Sequence, residues 1–539
     1  MNIPTLAQVD IEEKPYTSHV EVANEAHNDG DIKGDLTLNE AMEAEAIEHS
    51  MGIIEALRTY PWAVFWSISV SMCVVSEAYD NALINTLFGL SAFKKQFGVY
   101  LPASQKYTLT APWQSALSQS SAIGCFIGII FTGWISEKIG YRKTAILGQF
   151  LMIAAIFLTF FADRLWILLL GEIACGFPWG MFINLAPAYA SEVAPLPLRG
   201  FLTVYVQLCW CIGQFIAAGV LYSVNTRTDK WAYKIPFAVQ WAWPLPLIFL
   251  LIFAPESPWW LVRKGRLAEA EKVVRRLGGK IDQDPKNTVA MMVRTNEIEI
   301  ANETGVSFKD CFKGVDRRRT LIVCMIFGMQ PLSGLTLGNQ FVFFSEQAGL
   351  DSSNAFKMNL GNNAIAFLGT IFSWFLISWF GRRTIYLGGL MFAMADLYII
   401  AFIGIAKSSS GVNWATSGLM IAYNFIYDAA IGPLTYAIIS EMSSVRLRSK
   451  SIGLARNTYY ITHIIAGITT PYMINSTAGN LKGKAGFIWG TMAVFCFVLA
   501  FFHLPETKGR NYRELDLLFH RKTPARKFAS TNIEEVAEE

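Results

Sequence analysis

Long apolar blocks alternate with short polar stretches along almost the whole chain. Twelve blocks are long enough to cross a bilayer as helices, which takes roughly 20 mostly apolar residues each. They run over about 62–90, 113–136, 144–162, 165–190, 200–223, 236–254, 319–347, 356–380, 384–406, 414–441, 450–474 and 485–504, and are numbered spans 1 to 12. The pattern predicts an all-α membrane protein of twelve transmembrane helices. It divides into an acidic tail over 1–58, a six-helix bundle over 59–254, a linker with short helices over 255–318, a second six-helix bundle over 319–504 and a tail over 505–539. The low apolar content of the first tail predicts disorder, and 37–57 can form an amphipathic helix leading into span 1. In the linker, RLAEAEKVVRRL (266–277) has helical apolar spacing and is expected to pack under the bundle.

Composition supports the membrane reading. The 539 residues are 53% hydrophobic and only 16% charged, with a mean hydropathy of +0.34, whereas soluble domains average about 25% charged. Charge placement decides orientation. The short loops after spans 2, 4, 8 and 10 concentrate Lys138, Arg142, Lys143, Arg199, Arg382, Arg383, Arg446, Arg448 and Lys450, and the linker adds a further basic set. Positive charge marks the cytoplasmic side, so both termini and the linker are predicted to be cytoplasmic. No basic patch has the form of a nucleic-acid surface. The eight cysteines fall mostly inside apolar spans with no CxxC pair, and read as small core residues rather than a disulfide or metal frame. The N-terminus lacks a basic region followed by an apolar stretch, so no cleaved signal is expected.

The halves echo each other. GYRKT (140–144) returns as GRRT (381–384), SEVAPLPLRG (191–200) as SEMSSVRLRSK (440–450), and PESP (255–258) as PETK (505–508), each pair 241 to 250 residues apart. A near-constant offset means a duplicated six-span unit. Two such pseudo-repeats about an axis along the membrane normal make a transporter plan, with substrate bound between them near the midplane.

Charges inside the spans carry the chemistry. Five are counted: Glu77, Asp80, Glu172, Asp428 and Arg456. A carboxylate near the bilayer centre costs roughly 2.5–3.5 kcal/mol on insertion scales, so an embedded acid is a functional candidate by default. Glu77 and Asp80 lie three residues apart, on one helix face. That face is expected to point into protein or a water-filled cavity.

Taken in order, YDNALI, GWISEKIGYRK, SEVAPLPLRG, PESPWWL, QPLSGLT, GRRT, SEM…LRSK and PETKGR resemble the sugar porter branch of the major facilitator superfamily over about residues 62–520. SEAYDNALINTLFGLSAFKKQFG and GEIACGFPWG look most like the fungal α-glucoside:proton symporters of the maltose permease type. The resemblance implies that Asp80 matches the proton acceptor of span 1. Sugar porters usually place Arg where this chain has Glu172, so that tuning cation is missing. The expectation is therefore a carboxylate cluster of Asp80, Glu77 and Glu172 sharing a proton, with Arg456 as counter-ion in one state. The alternatives are structural pairs for the acids and a sugar-ligand role for Arg456.

The resemblance also implies sugar ligands. Gln207 and Gln330 match family glutamines, and Asp428 matches a family Glu that can touch sugar. Tyr436 stands where a Trp usually stacks on the sugar. The usual second Gln and the Asn of span 7 are here Pro331 and Thr336, and Asn339, Gln340, Asn362 and Asn363 are candidate replacements. These departures point to a larger sugar such as a disaccharide. The plainer alternative is that each polar group bonds a neighbouring helix, worth roughly 0.6 kcal/mol in membranes. At the basic side, Glu137, Glu192 and Glu441 are expected to face Arg142, Arg199, Arg382 and Arg448 across the halves as a gate, the alternative being solvated charges of ordinary topology. Asn475 opens a glycosylation sequon on the predicted outer face, and Asn302 opens one on the cytoplasmic side that is expected to stay unmodified.

No Ser/His/Asp set, phosphate loop or His-rich metal spacing is present, so no enzyme and no cofactor is expected. The expected function is proton-coupled import of an α-glucoside such as maltose across a fungal plasma membrane. The partners are the sugar, protons and membrane lipid, with the protein as a monomer. The rivals are a facilitative hexose uniporter and a transporter-like sugar sensor, and only about 35 residues follow His503 for the signalling tail a sensor carries.

Overall fold

A computed structural model describes residues 50–101, 106–278, 285–301, 307–347, 352–406, 409–444, 447–474, 481–510 and 512–531, with residues 47 and 479. The tail up to residue 46 and the sequons at Asn302 and Asn475 lie outside the described residues. Twelve helical spans follow the apolar blocks closely. Spans 1 to 6 are Pro61–Leu87, Ala111–Ile139, Tyr141–Phe160, Leu165–Val193, Leu196–Val224 and Trp231–Phe253. Spans 7 to 9 are Gly314–Asn339, Ser352–Trp379 and Arg382–Ile403. Span 10 is Ser410–Ile426 continued by Gly432–Met442, span 11 is Arg448–Ile474, and span 12 is Ala485–His503. Ten of the twelve are long and apolar enough to cross a membrane by length and composition. Span 10 is broken into shorter pieces at Tyr427–Ile431, and span 11 is more polar, carrying Arg448, Lys450 and Arg456. The linker forms helices Pro258–Arg263, Leu267–Leu277 and Pro285–Ala301. One addition to the expected all-α picture is a two-stranded antiparallel hairpin between spans 1 and 2, pairing Val99–Leu101 with Lys106–Thr108.

Small residues set how closely the helices pack. Gly124 and Gly128 of span 2 face Gly176 and Gly180 of span 4. A β-carbon at Gly124 would fall 2.1 Å from the Ile173 carbonyl, and one at Gly176 would fall 2.2 Å from that of Ser121. Two small-xxx-small stripes therefore interlock, the usual way to bring helices together where lipid removes the hydrophobic drive. Between the halves, span 2 packs on span 11 and span 5 packs on spans 8 and 10.

Breaks in the helices fall beside the cavity. Span 7 widens into a turn over Pro331–Leu335, where Gly334 takes φ 109°. Proline cannot donate to the helix ladder, and the loosened carbonyl of Ser333 accepts from the Tyr423 hydroxyl at 3.0 Å. Such repair by a neighbouring helix is what makes a break tolerable inside a membrane. Span 10 widens in the same way over Tyr427–Ile431, just before Pro433.

The sequence echoes have a shared geometry. Glu256, after span 6, accepts the N–H groups of Tyr141 (2.8 Å) and Arg142 (3.2 Å) at the start of span 3. Glu506, after span 12, accepts those of Arg382 (2.8 Å) and Arg383 (3.2 Å) at the start of span 9. Each carboxylate sits on an uncapped helix start, where free N–H groups and the helix dipole favour an anion. Each half thereby ties its last span back to its third.

Candidate functional site

A cavity lies between the halves, with about 830 Å³ of empty space that is partly open to solvent. Seven of the eight residues named from sequence as sugar-ligand candidates line it, Gln207, Gln330, Asn339, Asn362, Asn363, Asp428 and Tyr436, and Gln340 does not. Arg456 lines it too. Gln207 donates to Asp428 across the seam at 2.8 Å. Gln330 accepts from the Tyr427 hydroxyl at 2.6 Å, and its amide nitrogen is buried with no protein partner. Tyr436 packs edge-on against Phe327, and its hydroxyl accepts from Arg456 at 3.4 Å.

Amides that the sequence reading did not single out complete the wall. Asn81 and Asn85 come from span 1, Gln214 from span 5, Asn359 from span 8 and Asn424 from span 10. Asn85 donates to the Asn81 carbonyl, Asn363 to the Asn359 carbonyl, both at 2.8 Å, and Asn424 to Asn362 at 2.7 Å. The signal was available as spacing: 81/85 and 359/363 are four apart, and 207/214 are seven apart, each on one helix face. The wall thus offers mostly neutral donors and acceptors, with Asp428 and Arg456 as its charged members, beside the rings of Trp210, Tyr427, Tyr436 and Tyr459. That mixture suits a polyhydroxylated ligand with apolar C–H faces.

The embedded acids are sorted differently from the expected single cluster. Glu77 of span 1 pairs with Arg456 of span 11 at 3.7 Å and accepts from the Tyr460 hydroxyl at 2.6 Å. The Arg456 guanidinium lies over the rings of Tyr459 (4.3 Å), Tyr460 (5.1 Å), Trp210 (5.4 Å) and Phe327 (5.7 Å). Asp80, one helical turn on, instead accepts from Gln240 of span 6 and adjoins Glu172 of span 4. Both Glu172 oxygens are buried without a donor, so a hydrogen bond between the two carboxyls requires a proton on one of them. The helix rotation over three residues turns Glu77 to the seam and Asp80 into the first bundle. A sixth embedded charge, Asp396 of span 9, is absent from the sequence-based five. It is buried away from the cavity, with one oxygen unpartnered.

The expected gate also needs correction in its pairings. Glu192 accepts from Tyr141, Ser257 and Arg263, and Glu441 accepts from Arg382 (3.0 Å) and Thr507 (2.5 Å), so both acids are satisfied within their own halves. Arg142 donates to the Ala254 carbonyl and Arg199 to that of Ser191. Contact between halves comes from the ion pair of Lys450 with Glu137 at 2.6 Å. Arg382 also lies against Gly200, and Arg448 lies buried near Tyr141. At the basic-motif end the two halves therefore touch, and the cavity's asparagine wall lies toward the other end.

Outside the spans, burial and the neighbouring Glu192 push the Glu256 carboxyl above its ordinary range, partly offset by the N–H groups it accepts.

Comparison with known proteins places these features. Residues 66–519 match the family described as "Sugar (and other) transporter". The chain is 40% identical to the general alpha-glucoside permease of Saccharomyces cerevisiae over 92% of its own length and 81% of that protein's. It is 35% identical to the maltose permease MAL31 of the same organism over 93% and 83%. Among solved structures, the major facilitator proton:xylose symporter XylE bound to 6-bromo-6-deoxy-D-glucose aligns with a TM-score of 0.73 at 20% identity, covering 85% of this chain and 99% of that one.

Proposed function

Since the chain belongs to the sugar (and other) transporter family, we propose that it imports an α-glucoside such as maltose together with a proton, by alternating access, across the plasma membrane. The observation that carries this reading is the amide-and-aromatic cavity at the seam between two duplicated halves, with an ion pair from both halves at its edge. The named relatives supply the sugar class. The basic-motif end faces the cytoplasm, by the positive-inside rule, and both termini lie on that side. The state described is then closed inward, with the cavity turned outward.

The chemistry follows from the residues. Gln207, Gln330, Asn339, Asn363 and Tyr436 hold sugar hydroxyls and a ring face. Asp428 accepts a hydroxyl in place of its bond from Gln207. Asp80 and Glu172 adjoin with no cation beside them, and two such carboxyls cannot both ionise cheaply; the imported proton sits there. Span 1 connects the two sites, because it carries Asp80 on its bundle face and Asn81 and Asn85 on its cavity face. When the proton leaves inward, the new charge favours rearrangement of span 1 against Arg456, and the halves rock back. One charge moving through 100 mV contributes about 2.3 kcal/mol.

The test is uptake of labelled maltose into cells without other permeases, with external pH recorded in unbuffered medium. Alkalinisation that tracks uptake and is lost in Asp80→Asn is the expected result. Uptake with no pH change would leave a facilitator. With no uptake of maltose, glucose, sucrose or trehalose, the carrier reading falls and a sensor takes its place.

A further inference from the structure

A basic surface surrounds the tip of span 12, remote from the cavity and the seam. Phe502 and His503 end the span, and Phe502 is exposed on the outer perimeter of the bundle. A shallow groove of about 920 Å³ runs between spans 7 and 12, lined by Arg317, Arg318, Leu321, Met325, Phe502 and His503. The C-terminal segment borders it. Ala525 and Phe528 are buried and pin that segment, while Arg521, Lys522, Arg526 and Lys527 face outward. Arg510 donates to the carbonyls of Phe528 (3.2 Å) and Thr531 (2.8 Å), which fixes the turn.

Two of the cations are held in place by stacking. Arg526 lies over the rings of Phe501 (4.4 Å) and Phe502 (4.6 Å), and Arg318 over those of Phe519 (5.3 Å) and Phe528 (5.8 Å). Of the nearby acids, Asp516 pairs with Arg319 at 2.6 Å, Asp316 lies by Arg319 and Ser444, and Glu506 holds the start of span 9. Among the described residues no carboxylate pairs with Arg317, Arg318 or Arg526. Fixed cations thus sit where the apolar perimeter begins, with an apolar floor running from them along the spans. A soluble anion would need the cations but not the floor. A two-chain lipid needs both.

We propose that this groove binds an anionic phospholipid of the phosphatidylserine type. The phosphate and carboxylate lie on Arg317, Arg318 and Arg526, whose planar forks match paired oxygens, and the acyl chains lie along Leu321, Met325 and Phe502. The proposal rests on the motif end facing the cytoplasm, where the anionic lipids of the leaflet are enriched. Its test requires neither transport nor orientation. The full chain, purified in detergent, is titrated with phosphatidylserine, phosphatidylcholine or inorganic phosphate, and the retained ligand is counted by native mass spectrometry. Phosphatidylserine should be retained in preference to phosphatidylcholine. Each exposed basic residue contributes about 1 kcal/mol near an anionic surface, so Arg317→Gln should lower retention about fivefold. Arg317→Gln/Arg526→Gln should remove the preference. Lys94→Gln/Lys95→Gln, at the opposite end of the protein, should leave it unchanged. Equal retention of both lipids overturns the proposal, as does an equal loss in the Lys94/Lys95 variant. Retention of inorganic phosphate to the same extent would mean an anion site without a lipid. If preference appears only after residues 532–539 are removed, the glutamates of that segment are the occupant instead.

Discussion

A guanidinium inside a membrane is tolerable only with partners around it, and Arg456 has four rings and one carboxylate. Both members of the Arg456–Glu77 pair are about 3% exposed. Removing one partner of a buried pair typically costs about 3–5 kcal/mol, because the other charge is left without compensation. Glu77→Gln should therefore lower the thermal midpoint in detergent strongly, and Glu77→Gln/Arg456→Gln should recover most of the loss. A single variant that melts like the parent would show the pair to be idle. At this scale the sequence identified types better than partners. Glu77, Asp80, Glu172 and Arg456 stood out because charge in an apolar run is rare. Their division into two groups depends on helix rotation and on Gln240 of another span, and no spacing within one helix records that. The asparagines were passed over because a single amide in a span ordinarily bonds a neighbouring helix; only their repeat at four residues distinguishes a wall from such bonds. Asp396 has no partner among the described carboxylates and bases, and nothing in the fold explains it.

The elements were legible where apolar length decides them, and less so where they break. Pro331 was visible as a departure from a ligand pattern, yet with Gly334 its main effect is on span 7 itself, whose wide turn lies between Gln330 and Asn339, both of them at one cavity. The duplicated PESP and PETK motifs read in sequence as markers of the repeat and of the family resemblance, whereas in the fold they supply Glu256 and Glu506 as caps for the starts of spans 3 and 9. Glu256 gives a pH signature. Its carboxyl is raised above 4.5 in the folded chain, so the folded state holds this proton to higher pH than the unfolded state does. By linkage its contribution favours the folded protein most at low pH and is lost as pH rises from about 4.5 through the folded value. Melting midpoints followed from pH 4.5 upward should thus decline less steeply in Glu256→Gln than in the parent. A parallel pair of curves would mean that Glu256 does not titrate in this range.

At the scale of the molecule, the repeat offset already implied two halves and a site between them. Which end is shut was not legible, because a closed gate is a property of one state. That closure rests partly on Lys450 and Glu137, the latter side chain 40% exposed, so the pair is worth no more than about 1 kcal/mol. A bias of that size still moves a two-state equilibrium about fivefold. Lys450→Gln should shift the resting population toward opening at the motif end, read as faster labelling of a cysteine placed at residue 133, and Lys450→Glu/Glu137→Lys should restore it.

The carboxylate ties at Glu256 and Glu506 give each half a closed circuit of its own, from third span to last and back. Nothing in that circuit passes through residues 279–284. A gene cut there and expressed as two chains, one ending with the Leu267–Leu277 helix and the other beginning with Pro285, should yield fragments that find each other in one membrane and restore sugar uptake. Either fragment alone should be inert. Continuity of the polypeptide would then matter for matching the numbers of the two halves, and each half would carry its own instructions for shape.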